Sequence, residues 1–286
     1  MVTGNNALRP VEVTVNDSGV DIFVRSWHPG TPPRAIFAIC HGVNSHGGQY
    51  FWVAEQMVAR GFAVYALDLR GRGRSGGKRF HVESVEDYVS DLAAMIDLAK
   101  KREGALPVYL LGHSAGGVVS CIYALEFQSK LAGFICESFA FQVPTPDFAL
   151  ALVKGLSYVA PDANVLRLKN EHFSRDPAVV ARLNDDPLIA GEIQPAQTVA
   201  ALVRADERLK REFPSITLPL FILHGTADQA TNPSGSQFFE QAAGSRDKSL
   251  KLYEGHYHDL LSDIGKERVI ADIQQWIEER LDVVRE

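Results

Sequence analysis

Three separated stretches of the chain, "LLGHSAGG", "LFILHGTADQATNP" and "YEGHYHDLL", carry residue types that together perform nucleophilic catalysis. In the first, Gly112-His113-Ser114-Ala115-Gly116 fits G-x-S-x-G between an apolar run and a helical one. That context describes a nucleophile elbow, a sharp turn that lifts a serine hydroxyl above the edge of a sheet. A plainer reading makes Ser114 a helix cap in a glycine-rich turn, but strand, motif and helix together weigh against it. A serine hydroxyl is a poor nucleophile near neutral pH; it needs a base, and the base needs an acid to orient it. Asp228 follows the apolar run "LFILHG", at a strand end where open α/β sheets place their sites. Glu137, in "AGFICES", is the rival acid; Asp228 is preferred because one strand and one helix separate it from the last histidines. The base then falls in "YEGHYHDLL", at His256 or His258, and the residues alone do not choose between them. A zinc reading of this pair lacks a third ligand at a suitable spacing, Asp259 being a poor substitute, so no metal is expected.

Acyl transfer through such a serine also needs two N–H donors for the oxyanion of the tetrahedral intermediate. One is the backbone N–H of Ala115, directly after the nucleophile. The other is expected from "CHGVNSHGGQY", where the His41-Gly42 turn presents the N–H of Val43, with His41 and His46 shaping the loop.

These residues need a frame, and the hydrophobic pattern supplies one. The alternating runs "VEVTVND" and "SGVDIFVRSWH", around Asp17-Ser18-Gly19, predict an antiparallel hairpin. Continuous apolar runs follow: "AIFAIC", "GFAVYALDL", "LPVYLLGH", "AGFICES", "LPLFILHG" and, weaker, "KSLKLYEG". Helical patterns such as "VEDYVSDLAAMIDLAKKREG" and "ERVIADIQQWIEERL" lie between and after them. Such alternation predicts an α/β fold whose mostly parallel sheet is covered on both faces. From about Phe139 to Pro214 the alternation stops: helical segments cut by prolines appear, and no convincing strand. A structureless insertion of that length is unusual, so residues 139–214 are expected to form a helical cap on a core of residues 1–138 and 215–286. Within it "DFALALVKGLSYVA" is apolar nearly all round, which predicts that most of its residues pack inside the cap.

Bulk properties narrow the function classes. A chain of 286 residues with net charge −6 is large enough for a sizeable core and lacks the basic balance of a sequence-independent nucleic-acid binder. The basic turn "DLRGRGRSGGKR" is isolated and reads as a packed or solvated loop. Cys40, Cys121 and Cys136 are widely spaced in apolar contexts and read as small buried hydrophobes. Residues 1–10 lack the pattern of a signal peptide, and no apolar run is long enough to span a bilayer, so a cytoplasmic protein is expected.

With "HGVNSHGGQY", "ALDLRGRGRSGGKR", "GHSAGG", "NDDPLI", "LHGTADQ" and "YEGHYHDLL" in this order, the chain resembles the monoglyceride lipase and lysophospholipase branch of the α/β-hydrolases over almost its full length. The resemblance implies His258 as base and His256 as a variable position, supports Asp228 over Glu137, and implies oxyanion donors at Val43 and Ala115. It also implies a cap that admits an acyl chain. Two positions depart from the family. Where monoglyceride lipases often read "GEHxxRY", with a Glu and an Arg beside the glycerol head, this chain has Ser45 and Gln49. Ala115 stands where the family usually carries Met. Both departures touch the substrate pocket and leave room for a carboxylic ester other than a monoacylglycerol.

The expectation is a serine ester hydrolase with a small acyl ester as its partner, no cofactor, and transient contact between the cap and a lipid surface. An acyltransferase on the same scaffold and a non-catalytic hydrolase-like binding protein are the rival readings. Dehalogenase and epoxide hydrolase chemistry is excluded because those elbows carry Asp where this chain has Ser114.

Overall fold

The computed structural model describes residues 8–283; the signal-peptide reading of residues 1–10 falls mostly outside them. The hairpin forms as expected. Strand β1 (Val11–Asp17) turns through Ser18 and Gly19 into β2 (Val20–Trp27). Both turn residues have positive φ, 51° and 84°, the requirement of a two-residue turn whose twist matches its strands. Next come β3 (Ala35–Cys40), α1 (Phe51–Val58), β4 (Phe62–Leu67), α2 (Val85–Glu103), β5 (Val108–His113), α3 (Ala115–Phe127) and β6 (Gly133–Glu137).

The chain then leaves the sheet for α4 (Asp147–Leu156), β7 (Asn164–Leu166), α5 (Pro177–Asp185), β8 (Gln194–Pro195) and α6 (Ala196–Glu212). It returns through β9 (Leu220–Gly225), α7 (Pro233–Ala242), β10 (Lys248–Tyr253) and α8 (Lys266–Val283). The main sheet has eight strands in the order β1-β2-β4-β3-β5-β6-β9-β10. β1 and β2 pair antiparallel at one edge, β2 joins β4 antiparallel, and every pairing from β4 to β10 is parallel. Each crossover places a helix on one face, which is why the interior strands are apolar on both sides. In β3, Ile36, Ala38 and Cys40 join the core beneath α2 and α3, whereas Ala35, Phe37 and Ile39 join the core beneath α1 and α8. All three cysteines are buried and unpaired, and burial pushes the Cys40 thiol up to about 12.

Two expectations about residues 139–214 are corrected. The stretch is not strandless: β7 and β8 form a small antiparallel ribbon in which Leu166 faces Gln194. Strands of three and two residues, one ending in Pro195, are too short to carry a periodic signal. The apolar segment after Pro146 also does not pack inward. None of α4 is buried, and Phe148, Leu152, Tyr158 and Val159 are 71%, 69%, 77% and 82% exposed. Helix α4 lies against α6 and little else, so one neighbour is left to cover a helix that is apolar nearly all round. Helix α6 sits deeper: its Ala201, Ala205 and Leu209 belong to the same core as α3.

Candidate active site

Ser114 sits between the last residue of β5 and the first of α3, with φ 56° and ψ −122°. This strained conformation is rare for a residue with a side chain and is over-determined by its surroundings. Ser114 donates its N–H to the Glu137 carbonyl (2.9 Å), and its own carbonyl accepts the Gly117 N–H (2.9 Å). A Cβ on Gly116 would lie 2.2 Å from the Cys40 carbonyl oxygen, and one on Gly42 would lie 2.8 Å from the Ser114 Cβ. Those two glycines let the loop after β3 and the elbow close on each other. The Ser114 side chain makes no capping hydrogen bond to α3, so the plainer reading of this serine as a helix cap does not describe it. It is 3% exposed and lines a cavity with Val43 and Ala115. As the first residue of α3, Ala115 has an N–H with no intrahelical acceptor.

Asp228 lies beyond the C-terminal end of β9, and His258 beyond that of β10. His258 Nδ1 and Asp228 Oδ2 are 2.7 Å apart, and both side chains are fully enclosed. An ionised carboxylate only accepts, so Nδ1 carries the proton and Nε2 presents a lone pair. Among the described residues Nε2 is buried without a hydrogen-bond partner. Phe173 packs edge-on against the imidazole at 5.1 Å, and His113 lies 5.0 Å from it on another side.

The Asp228 carboxylate is a collecting point for donors. Oδ1 accepts the N–H groups of Ala230 (2.7 Å) and Thr231 (3.0 Å), and Oδ2 accepts the Thr231 hydroxyl (2.8 Å). His224 Nε2 stands 3.0 Å from Oδ2, and its Nδ1 meets the Ser236 hydroxyl at 2.7 Å. Burial alone would raise this carboxyl, but His258 and His224 overrule it and hold the group far below the usual carboxylate range. Thr231, His224 and Phe173 escaped the sequence reading. His224 sits inside the "LHGTADQ" stretch already singled out, four residues before Asp228, but only the fold aims it and His258 at one carboxylate oxygen.

Glu137, the rival acid, takes another role. It is fully buried, accepts the Leu261 N–H through Oε1 (3.1 Å), and is pushed far up by burial and then by Asp259. Asp259 is itself raised by burial. Glu137, Asp259 and His113 bring ligand-type atoms within 4.8 Å of one another, but carboxyls that favour their protonated forms are a poor donor set for a cation. A carboxyl raised in the fold stabilises it below the unfolded value, near pH 4.3, and that stabilisation is lost as pH rises toward the folded value. Glu137→Gln keeps an acceptor for Leu261 and removes this titration. Its melting temperature relative to the parent should therefore rise between about pH 4 and pH 8; thermal melts across that range giving a constant difference would contradict the assignment.

The remaining expected residues are placed as follows. His256 turns away: its Nδ1 lies 3.6 Å from Asp263, its ring meets Tyr253, and burial lowers its basicity. On a strand, residues two apart would share a face; here Gly255, at φ 71°, begins a turn that separates the two histidines. His41 is buried, accepts the Leu69 N–H through Nε2 (3.0 Å), donates from Nδ1 to the Gly42 carbonyl (2.7 Å), and is pushed down to about 3 by burial. Ser45 and Gln49 do not line the cavity; Gln49 instead donates to Asp186 Oδ2 at 3.1 Å, beside His46 at 2.8 Å. The cavity, about 290 Å³, runs from Ser114 past Phe141, Leu150, Leu166, Val199 and Leu202, with Asp206 on its far wall.

The family model described as "Serine aminopeptidase, S33" matches residues 31–265. The chain is 33% identical over 261 residues to the monoacylglycerol lipase of Mycolicibacterium smegmatis, covering 91% of this chain and 93% of that protein. It is 31% identical over 271 residues to human monoglyceride lipase, covering 93% and 89%. The crystal structure of the Paleococcus ferrophilus monoacylglycerol lipase superposes with a TM-score of 0.82 at 30% identity, over 91% of this chain and 99% of that one. A soluble variant of the Saccharomyces cerevisiae monoglyceride lipase, in complex with a substrate analog, superposes at 0.87 over 96% of each chain; at 21% identity it speaks for the fold alone. The chain belongs to the monoglyceride lipase-type serine hydrolases of the α/β-hydrolase superfamily, within the family described as serine aminopeptidase.

Proposed function

We propose that this protein hydrolyses carboxylic esters, monoacylglycerol-like or other small acyl esters, with Ser114 as nucleophile, His258 as base and Asp228 as the acid that orients it. The observation that carries the proposal is the enclosed His258–Asp228 pair at 2.7 Å, together with a serine at φ 56° that lines an apolar cavity and directly follows His113, whose ring lies 5.0 Å from that of His258. Ser114 Oγ attacks the ester carbonyl carbon while His258 Nε2 takes its proton. The oxyanion is met by the N–H groups of Val43 and Ala115. His258 then returns the proton to the leaving alcohol as the C–O bond breaks, and an acyl-enzyme remains. Water attacks this ester with His258 again as base, and the acid leaves while Ser114 regains its proton. Asp228, ionised throughout by its five donors, stabilises the imidazolium formed in each half.

Residues 139–214 are read as the cap over a core formed by residues 1–138 and 215–286. The cap exposes Phe148 and Leu152, one turn apart on α4, and Tyr158 and Val159 just after it, apolar side chains suited to transient contact with a lipid surface. The relatives' names support the substrate class. A panel of monoacylglycerols, lysophospholipids and short alkyl or aryl esters tests this reading. Monoacylglycerols and neutral short esters should be turned over, and no activity across the panel would defeat it. In the same panel, Phe148→Ser with Leu152→Ser should lower rates on long-chain vesicle substrates several-fold and leave soluble short esters unchanged.

A further inference from the structure

The loop after β3 is held from a distance. Asn44, directly after Val43, has φ 52° and is 6% exposed. Its N–H donates to Glu192 Oε1 at 2.8 Å, and Glu192 lies between α5 and β8, 148 residues away in sequence. The same oxygen accepts Gln194 Nε2 at 2.7 Å and pairs with Arg72 Nη1. Arg72 closes the ring, donating from Nη2 to Gln194 Oε1 (2.8 Å) and from Nε to the Tyr88 hydroxyl (3.2 Å). The side chains of Arg72 and Glu192 are each 1% exposed. Burial opposes the Arg72 charge, and Glu192 more than restores it. The Asn44 side chain adds contacts to the Leu168 carbonyl (3.4 Å) and to Asn170 Oδ1 (3.2 Å).

We infer that Glu192, seated by Arg72, is a positioning residue for the oxyanion loop, so that the segment over the sheet governs the chemical step as well as the shape of the cavity. The inference rests on the ester-hydrolase reading above. Val43 joins two peptides. The one before it, which carries the Val43 N–H, is restrained at its Gly42 end, where Gly42 packs against Ser114. The one after it ends in the Asn44 N–H, which Glu192 fixes. With both held, the direction of the Val43 N–H is set. Without Glu192 the Asn44 N–H is a buried donor with no acceptor, a costly state, and Asn44 is free to leave its left-handed conformation. The 43–44 peptide is then free to rotate, the torsions at Val43 loosen, and the 42–43 peptide that carries the Val43 N–H is held from one side only, so the oxyanion donor loses its aim. A buried ion pair adds little net stability over apolar residues of the same shape, so the consequence to measure is geometric.

The test uses Glu192→Gln and Glu192→Ala in the full chain, with a soluble short ester and a boronic acid that forms a tetrahedral adduct on Ser114. Loss of one oxyanion donor lowers kcat by about a hundredfold or more. Glu192→Ala should show that loss with KM within about twofold of the parent, and boronate affinity should fall by a factor similar to that in kcat. Glu192→Gln keeps an oxygen acceptor for Asn44 and should recover most of the loss. A folded Glu192→Ala protein with unchanged kcat and boronate affinity would overturn the inference, as would a kcat loss with unchanged boronate affinity. Should Glu192→Ala not fold, Glu192→Leu, which fills the same space and offers Asn44 no acceptor, decides in its place: a fall in kcat matched by boronate affinity supports the inference, and a fall in kcat without it, or no fall in either, overturns it. Turnover that survives Ser114→Ala would instead defeat the ester-hydrolase reading itself.

Discussion

Ser114→Ala should lower kcat on any ester the protein hydrolyses by about 10⁶-fold, with little change in KM. The size of the effect follows from what is removed. Without the hydroxyl no acyl-enzyme forms, and a water would have to attack from a cavity built to place a serine oxygen instead. The cavity and the oxyanion donors remain, so a residual rate of about 10³–10⁴ over uncatalysed hydrolysis is expected. Binding is retained because the apolar wall from Phe141 to Leu202 is untouched. The fold should be retained as well. The Ser114 side chain makes no capping bond to α3, and alanine removes one oxygen from a position whose backbone is fixed by Glu137 and Gly117. Steady-state kinetics beside a thermal melt separates the outcomes; retained turnover in a folded variant contradicts the assignment of the nucleophile.

The second large effect separates two histidines one residue apart. His258→Ala should cost about as much as Ser114→Ala, because serine and base act as a unit and removing either disables both. Asp228→Asn should cost about 10⁴-fold: an amide presents donors as well as an acceptor to the imidazole and no longer fixes the tautomer with Nδ1 protonated. His256→Ala should leave kcat within a few-fold of the parent. Its ring is spent on Tyr253 and the Asp263 neighbourhood, and the Asp228 carboxylate has no contact with it. Parallel kcat measurements on the three variants check this; equal losses for His256→Ala and His258→Ala would show that the loop, not the base, had been damaged.

The site was legible in the sequence to the degree that its chemistry is local. Ser114 could be read because strand, glycine pattern and helix are contiguous, and the same contiguity makes the elbow strained. Asp228 was read from its place after an apolar strand. The choice between His256 and His258 came only from the family resemblance, since the turn at Gly255 that separates them has no periodic signature. The strands of the main sheet were visible because both faces are buried and the runs are continuously apolar. The β7–β8 ribbon was not, because strands of three and two residues have no period to detect. Helix α4 misled for a physical reason: a helix apolar all round ordinarily marks burial, and its actual exposure depends on a missing second neighbour. Least legible was the hold on the oxyanion loop. Arg72 lies in a turn that reads as an unremarkable basic loop, and Glu192 lies 120 residues away; only folding brings them to Asn44.

Peptide mapping of the protein after reaction with a fluorophosphonate tests the central claim most directly. One phosphonyl adduct is expected, on Ser114, formed at a rate that collapses in His258→Ala and persists in His256→Ala. Turnover of esters with the adduct on another residue, or with no adduct at all, would contradict it.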